Sequence, residues 1–244
     1  MPTIQICVLA NSVKNSHRYV AGLETEKGPD GKRKFGGWIR PVSKHDEGAL
    51  TLDERALRKW LFLKNEPQAF DVIELEVDRN ESDPLQPESW LITPGKPWKL
   101  VEKLSWKDVQ PYIDRPKDLW LENQNEWERI SPNWLRRQAR VQSLYLIKPE
   151  SIYIETETEF DRTEKRNKNI RRVVFTYNRY TYRLPLTDPE VEKRYPDDAS
   201  GGKVGFTKSN LASGNDCLLC LTYTPRINNG FHYKVVAAIL EPAK

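Results

Sequence analysis

Apolar residues run almost unbroken through Ile4-Gln5-Ile6-Cys7-Val8-Leu9-Ala10, which predicts a first strand buried on both faces. Arg18 to Glu24 predicts a second strand and Phe35 to Val42 a third. Between these two, Lys27 to Gly31 predicts a turn, because Pro29 presets φ and the glycines accept positive φ. Thr51 to Leu61 is the clearest helical pattern. Thr51 stands at the cap, Glu54 at the capping-box position, and Leu52, Ala56, Leu57 and Trp60 form one apolar stripe. Gln68 to Val77 alternates as a fourth strand, and Trp90 to Trp98 gives a short fifth, interrupted by Pro94-Gly95 and Pro97.

Three strands, a helix and two strands is the order of an OB-fold, a five-stranded Greek-key barrel. Ser105 to Arg140 breaks this pattern. It carries Trp106, Trp120, Trp127 and Trp134, and Pro111, Pro116 and Pro132 divide it into short pieces, so it predicts a connector of short helices. Strand patterns then return at Val141 to Ile147, Ser151 to Glu157, Arg171 to Thr176 and Tyr180 to Leu186, the last two forming a hairpin around Asn178. Asp188-Pro189 starts a short helix, with Asp as cap and Pro at the first helical position, and Pro196 ends it. Pro196 to Asn215 predicts a turn-rich mobile loop. Cys217 to Tyr223 and Phe231 to Leu240 are the last strands, joined across Asn228-Asn229-Gly230. The second half thus repeats the architecture of the first without repeating its sequence. The fold expected is mainly β with short helices: an N-terminal barrel over 1–104, a connector over 105–140 and a C-terminal barrel over 141–244.

Charge narrows the function class. The chain carries 39 basic and 35 acidic residues, so distribution matters more than the net +4. Eight basic residues against three acids lie between Lys14 and Lys44, and eight against one between Arg162 and Arg183, whereas Glu150 to Asp161 is acidic. Two basic segments on a near-neutral chain point to a polyanion. No apolar run reaches the roughly 20 residues that span a bilayer, and the N-terminus has no secretory pattern. With only three cysteines, a reducing cytoplasm is the expected setting.

The candidate chemistry is that of binding. In Gly36-Gly37-Trp38-Ile39-Arg40-Pro41-Val42-Ser43, an indole, a guanidinium and a hydroxyl follow two glycines that allow close backbone approach. Asn11, Ser12, Lys14, Arg18 and Tyr19 form a polar run that an OB-like barrel would set beside Trp38, Arg40 and Ser43. A second candidate set is Arg172, Tyr180, Tyr182 and Arg183. In an extended strand Tyr180 and Tyr182 share one face, which suits either base stacking or a barrel wall. Cys217-Leu218-Leu219-Cys220 lacks the further ligands that zinc needs, and His17, His45 and His232 show no metal spacing. Asp46 and Glu47, or Asp71 and Glu74, could pair for metal chemistry, but they read as surface acids. With no nucleophile elbow and no phosphate-binding glycine loop, neither catalysis nor a cofactor is expected.

The runs Cys7 to Ser12, Arg18 to Gly22 and Gly37 to Ser43, with Thr187-Asp188-Pro189 and Tyr233 to Ile239, resemble the dual OB-containing domain family of bacterial proteins. That resemblance implies two tandem OB-folds, nucleic-acid binding and a setting in mobile or anti-phage defence systems. The expected function is a non-enzymatic module for single-stranded or unwound DNA or RNA, serving a larger effector protein encoded nearby. Two alternatives stand beside it: a scaffold subunit docking on a nuclease, helicase or ATPase through the four tryptophans, and a sensor of a nucleotide or modified base.

Overall fold

The computed structural model describes residues 2–14, 17–44, 48–51, 53–58, 64–80, 83–122, 128–161, 166–195, 205–226 and 229–242. Its first half is a closed barrel. Strands β1 (Thr3–Lys14), β2 (His17–Lys27) and β3 (Arg33–Val42) form an antiparallel meander. A two-residue hairpin, β4 (Leu57–Arg58) with β5 (Lys64–Asn65), intervenes before β6 (Asp71–Asn80) and β7 (Ser89–Ile92). β7 runs parallel to β3 and antiparallel to β6, and β6 returns to β1, which closes the ring. This is the OB strand order. β8 (Lys99–Lys103) extends the sheet beyond β6. Ile6, Val8, Val20, Ile39, Ile73, Leu75 and Trp98 fill the barrel.

The apolar run of β1 has two destinations. Ile6 and Val8 face the barrel interior, while Cys7 and Leu9 lie in a second cluster outside it. A register shift between Val8 and Ala10 bends β1 against β2. There Gly22 approaches so closely that a Cβ would stand 2.2 Å from the Cys7 carbonyl oxygen.

The predicted helix at Thr51 to Leu61 is corrected within the described residues. Thr51 and Glu54 do make both capping-box bonds, with Thr51 N donating to the Glu54 carboxylate (2.8 Å) and Glu54 N to Thr51 Oγ1 (3.3 Å). They close a single turn. Arg55 then folds back to the Leu50 carbonyl and to Glu66, and Leu57 is drawn into pairing with Asn65 and a bridge to Trp98. Tertiary pairing overrides the helical propensity. Leu52 and Trp60 lie outside the described residues.

After β8 come helix α1 (Trp106–Val109), a 3-10 turn (Gln110–Tyr112), β9 (Arg129–Ile130) and helix α2 (Pro132–Arg136). The second half contains β10 (Leu144–Ile147), β11 (Ser151–Asp161), β12 (Arg166–Tyr177), β13 (Tyr180–Pro185), helix α3 (Pro189–Arg194), β14 (Gly205–Ser209), β15 (Leu218–Tyr223) and β16 (His232–Leu240). β10 pairs with β15, β15 with β16, and Leu186, just past β13, makes a parallel bridge to Val236 of β16. With β11–β12–β13 as a meander, the first barrel's strand order recurs. Asn178 and Arg179 both take positive φ (48° and 69°), giving the two-residue turn expected at this hairpin. Asp188 caps α3 through Glu190 N and Val191 N. The segment predicted as a loop after Pro196 includes β14, which occupies the otherwise free edge of β11.

The two barrels share a core. Cys7, Leu9, Ala21, Leu23 and Trp38 from the first pack on Leu144, Leu146, Leu218, Cys220, Ala237 and Leu240 from the second, with Val109 of α1 between them. Leu119, Trp120, Ile130 and Leu135 join the second barrel's own core instead. Among the described residues, no helix is long and apolar enough to cross a membrane.

Candidate nucleic-acid interface

Alternation along β3 sends Ile39 into the first barrel and Trp38 and Arg40 out toward the second. Pointing outward does not mean exposure here. Trp38 is 8% exposed, and its Nε1–H donates to Asp114 Oδ2 at 3.1 Å. Arg40 is 6% exposed, and its Nη2 donates to Ser143 Oγ (2.9 Å) and Thr222 Oγ1 (2.8 Å), both from the second half. Ser143 in turn gives its backbone N–H and its hydroxyl to the two oxygens of Glu88 (2.7 and 2.6 Å). Burial lowers the Arg40 pKa, and the nearby Glu88 carboxylate opposes that shift. Thus Trp38 is largely shielded by its neighbours, and Arg40 bonds across the boundary between the barrels.

The other candidates are equally anchored. Ser43 is buried and donates to Glu54 (2.8 Å). Arg18 pairs with Glu66 (3.4 Å), the carboxylate that also receives Arg55 and Asn11. Burial pushes the Glu66 pKa up, yet the bonds and charges of Arg55, Arg18 and Asn11 outweigh it and hold the carboxyl below its ordinary range. Ser12 and Tyr19 line a cleft between the barrels with Arg40, whereas Asn11 and Arg18 line a neighbouring one. Lys14 ends β1, and its side chain lies outside the described residues.

In the second half Tyr182 is fully buried and stacks on Phe175, with ring centroids 5.3 Å apart. Burial pushes its phenol up to about 12. Tyr180 packs on the same core. Arg183 pairs with Glu155 (2.6 Å), and Arg172 with Glu128. Tyr182 therefore forms part of the barrel wall. β12 runs antiparallel to the acidic β11, with Glu155 opposite Arg172 in register. Trp120 is also buried, its Nε1–H donating to the Gln142 carbonyl at 2.7 Å, so it cannot serve as a docking hot spot.

An open groove lies beside the first motif, on the outer face of β2 and β3. It is lined by Leu23, Gly37 and Trp38 of the strands together with Tyr112 and Arg140, and the carboxylates of Glu88 and Asp114 also border it. A Cβ at Gly37 would meet nothing within 4 Å, so bare backbone faces the groove. The Tyr112 ring is 38% exposed and leans on Phe35 with centroids 4.3 Å apart. Arg140 is exposed, as are Arg136 and Arg137 just before it. Asp114 is occupied by Trp38 Nε1–H and Leu146 N–H, and burial raises its pKa despite those bonds. Sequence reasoning passed over Tyr112 and Arg140 because the tryptophans dominated the segment. The available signal was the stretch from Arg129 to Pro149, with five basic residues and no acid. Among the described residues, no cluster of three or more His, Cys, Asp or Glu could hold a metal ion. Burial pushes the Cys7 and Cys217 thiols up to about 12.

No curated protein and no solved structure is similar enough to this chain to match it. A family model described as a dual OB-containing domain matches residues 4–239. With the OB strand order now traced in both halves, the chain belongs to the dual OB-containing domain family.

Proposed function

We propose that the protein is a non-enzymatic module that binds single-stranded nucleic acid along the outer face of β2 and β3 in the first barrel. The observation that carries this reading is the groove, which an exposed tyrosine, bare backbone at Gly37 and an exposed arginine line together. Tyr112 offers a face for one base. Gly37 lets the strand come close, and Arg140, with Arg136 and Arg137 nearby in sequence, draws phosphates. The β2–β3 face is where OB-folds take oligonucleotides. Lys14, Arg18 and Tyr19, near the tip of the first hairpin, would extend the path. The defence setting implied by the family resemblance makes a larger effector protein the expected partner.

Anisotropy titrations with labelled single-stranded DNA and RNA at several salt concentrations test the proposal. Tyr112→Ala is expected to weaken binding by about 5- to 150-fold, the range that corresponds to loss of one stacked base. Arg140→Ala should weaken it across sequences and reduce the salt slope by somewhat under 1. No binding at low salt, or affinity unchanged in both variants, rejects the reading.

A further inference from the structure

We propose that Asp114 reads the base at the Tyr112 groove and selects one that carries an exocyclic amine, so that adenine and cytosine are taken in preference to uracil and thymine. The inference rests on the groove being the single-strand site. It starts from the two carboxylates on the border of the groove, Glu88 and Asp114. Like charges repel, so a phosphate does not lie against them, and the edge of a base takes that place.

The two carboxylates differ in what they can still accept. Both Glu88 oxygens receive short bonds from Ser143, at 2.7 and 2.6 Å. Asp114 Oδ2 is also engaged, by Leu146 N at 2.8 Å and Trp38 Nε1 at 3.1 Å. Among the described residues, Asp114 Oδ1 receives only Gln142 Nε2, at the long distance of 3.4 Å. The Asp114 N–H donates to Leu146 O at 2.7 Å, so backbone and side chain are both held. Oδ1 is therefore a fixed acceptor with capacity for a further donor. Adenine and cytosine each present an NH2 group beside a ring nitrogen that accepts, and a carboxylate takes the amine of cytosine in the same way in duplex readout. Uracil and thymine bring the O4 carbonyl to that position, acceptor against acceptor. Arg140 lines the same groove and carries donors alone, which suits the ring nitrogen. Stacking on Tyr112 tolerates every base, so selection falls to Asp114.

Anisotropy titrations of the full chain at low salt and neutral pH use matched single strands that differ in one group. Deoxycytidine tracts are set against deoxyuridine tracts, and adenine against purine, the same ring without its amine. The amine-bearing strand of each pair is expected to bind about tenfold more tightly, the effect of one bond to a charged acceptor. Asp114→Asn keeps an oxygen for Leu146 and Trp38 and turns an NH2 toward the groove. It should abolish the cytosine preference and favour uracil, whose O4 then meets a donor. The adenine and purine pair tests the native chain without any substitution, whatever Asp114→Asn does to folding. No binding by any strand removes the groove as the strand site and this inference with it. Binding with equal affinity within both pairs leaves the groove standing and overturns the role of Asp114. A cytosine preference that survives in folded Asp114→Asn overturns it as well.

Discussion

Replacing Glu88 by glutamine tests whether a buried charge pair joins the barrels. In the native protein both Glu88 oxygens accept from Ser143, at 2.7 Å from its backbone N–H and 2.6 Å from its hydroxyl. Ser143 is fully buried, so water cannot replace either bond. The glutamine amide keeps one acceptor oxygen but turns an NH2 toward the other donor. One charge-assisted bond is lost, a term of about 1.5–3 kcal/mol. Arg40, bonded to that same Ser143 hydroxyl and to Thr222, also loses its compensating charge. Together these put Glu88→Gln at about 3 kcal/mol, the lower end of what breaking a buried ion pair costs. Arg40→Met alone should cost about as much, because it strands the carboxylate. The double variant removes both charges, so it should fall about 2 kcal/mol short of the sum. Urea unfolding followed by tryptophan emission measures all four corners of the cycle. Additivity within about 0.5 kcal/mol would show that the two charges do not interact, and the coupling argument would be wrong.

Three further outcomes follow from the same geometry. Gly22→Ala places a methyl 2.2 Å from the Cys7 carbonyl oxygen and should destabilise by about 3 kcal/mol or more, since only backbone movement relieves it; a loss under about 1 kcal/mol in urea unfolding would contradict this. Trp38→Phe removes the bond to Asp114 and should cost about 1–3 kcal/mol, read from the same unfolding curves. Glu66, whose pKa is lowered in the fold, contributes stability that is full above its ordinary value of 4.5 and is lost as pH falls through the lower folded value. Stability against pH should therefore decline on the acid side, and Glu66→Gln should flatten that limb; an unchanged limb would show that the pairs with Arg18 and Arg55 carry no proton linkage.

The strands were legible because their local signals agreed with their tertiary role. The continuous apolar run of β1 comes from its burial on two sides, in the barrel and against the second barrel. The turn at Asn178 and the cap at Asp188 are local chemistry and appear where the sequence put them. The helix at Thr51 failed because its capping box was real but its continuation was decided by distant partners, Trp98 and Glu66. The surroundings of the site residues were not legible for another reason. Periodicity gives the face of a strand but not what covers that face.

That difference decides how the Gly36–Ser43 motif should be understood. A lone OB barrel exposes the outer side of β1, β2 and β3 to its ligand. Here the second barrel and α1 cover most of that side, where Leu9, Ala21, Leu23 and Trp38 lie in the shared core. The residues that look most like ligand contacts in sequence, Trp38 and Arg40, are therefore those used to hold the barrels together. What stays open is the margin of this face at Gly37, where a Cβ would meet nothing within 4 Å. Filling that margin discriminates between the roles. Gly37→Val adds a side chain where a Cβ meets nothing within 4 Å, so packing in the shared core should be undisturbed and stability nearly unchanged. Its methyls would nonetheless occupy the floor beside Tyr112 and weaken single-strand binding. Lost affinity with unchanged unfolding would place the ligand on this margin, and full affinity would move it elsewhere on the molecule.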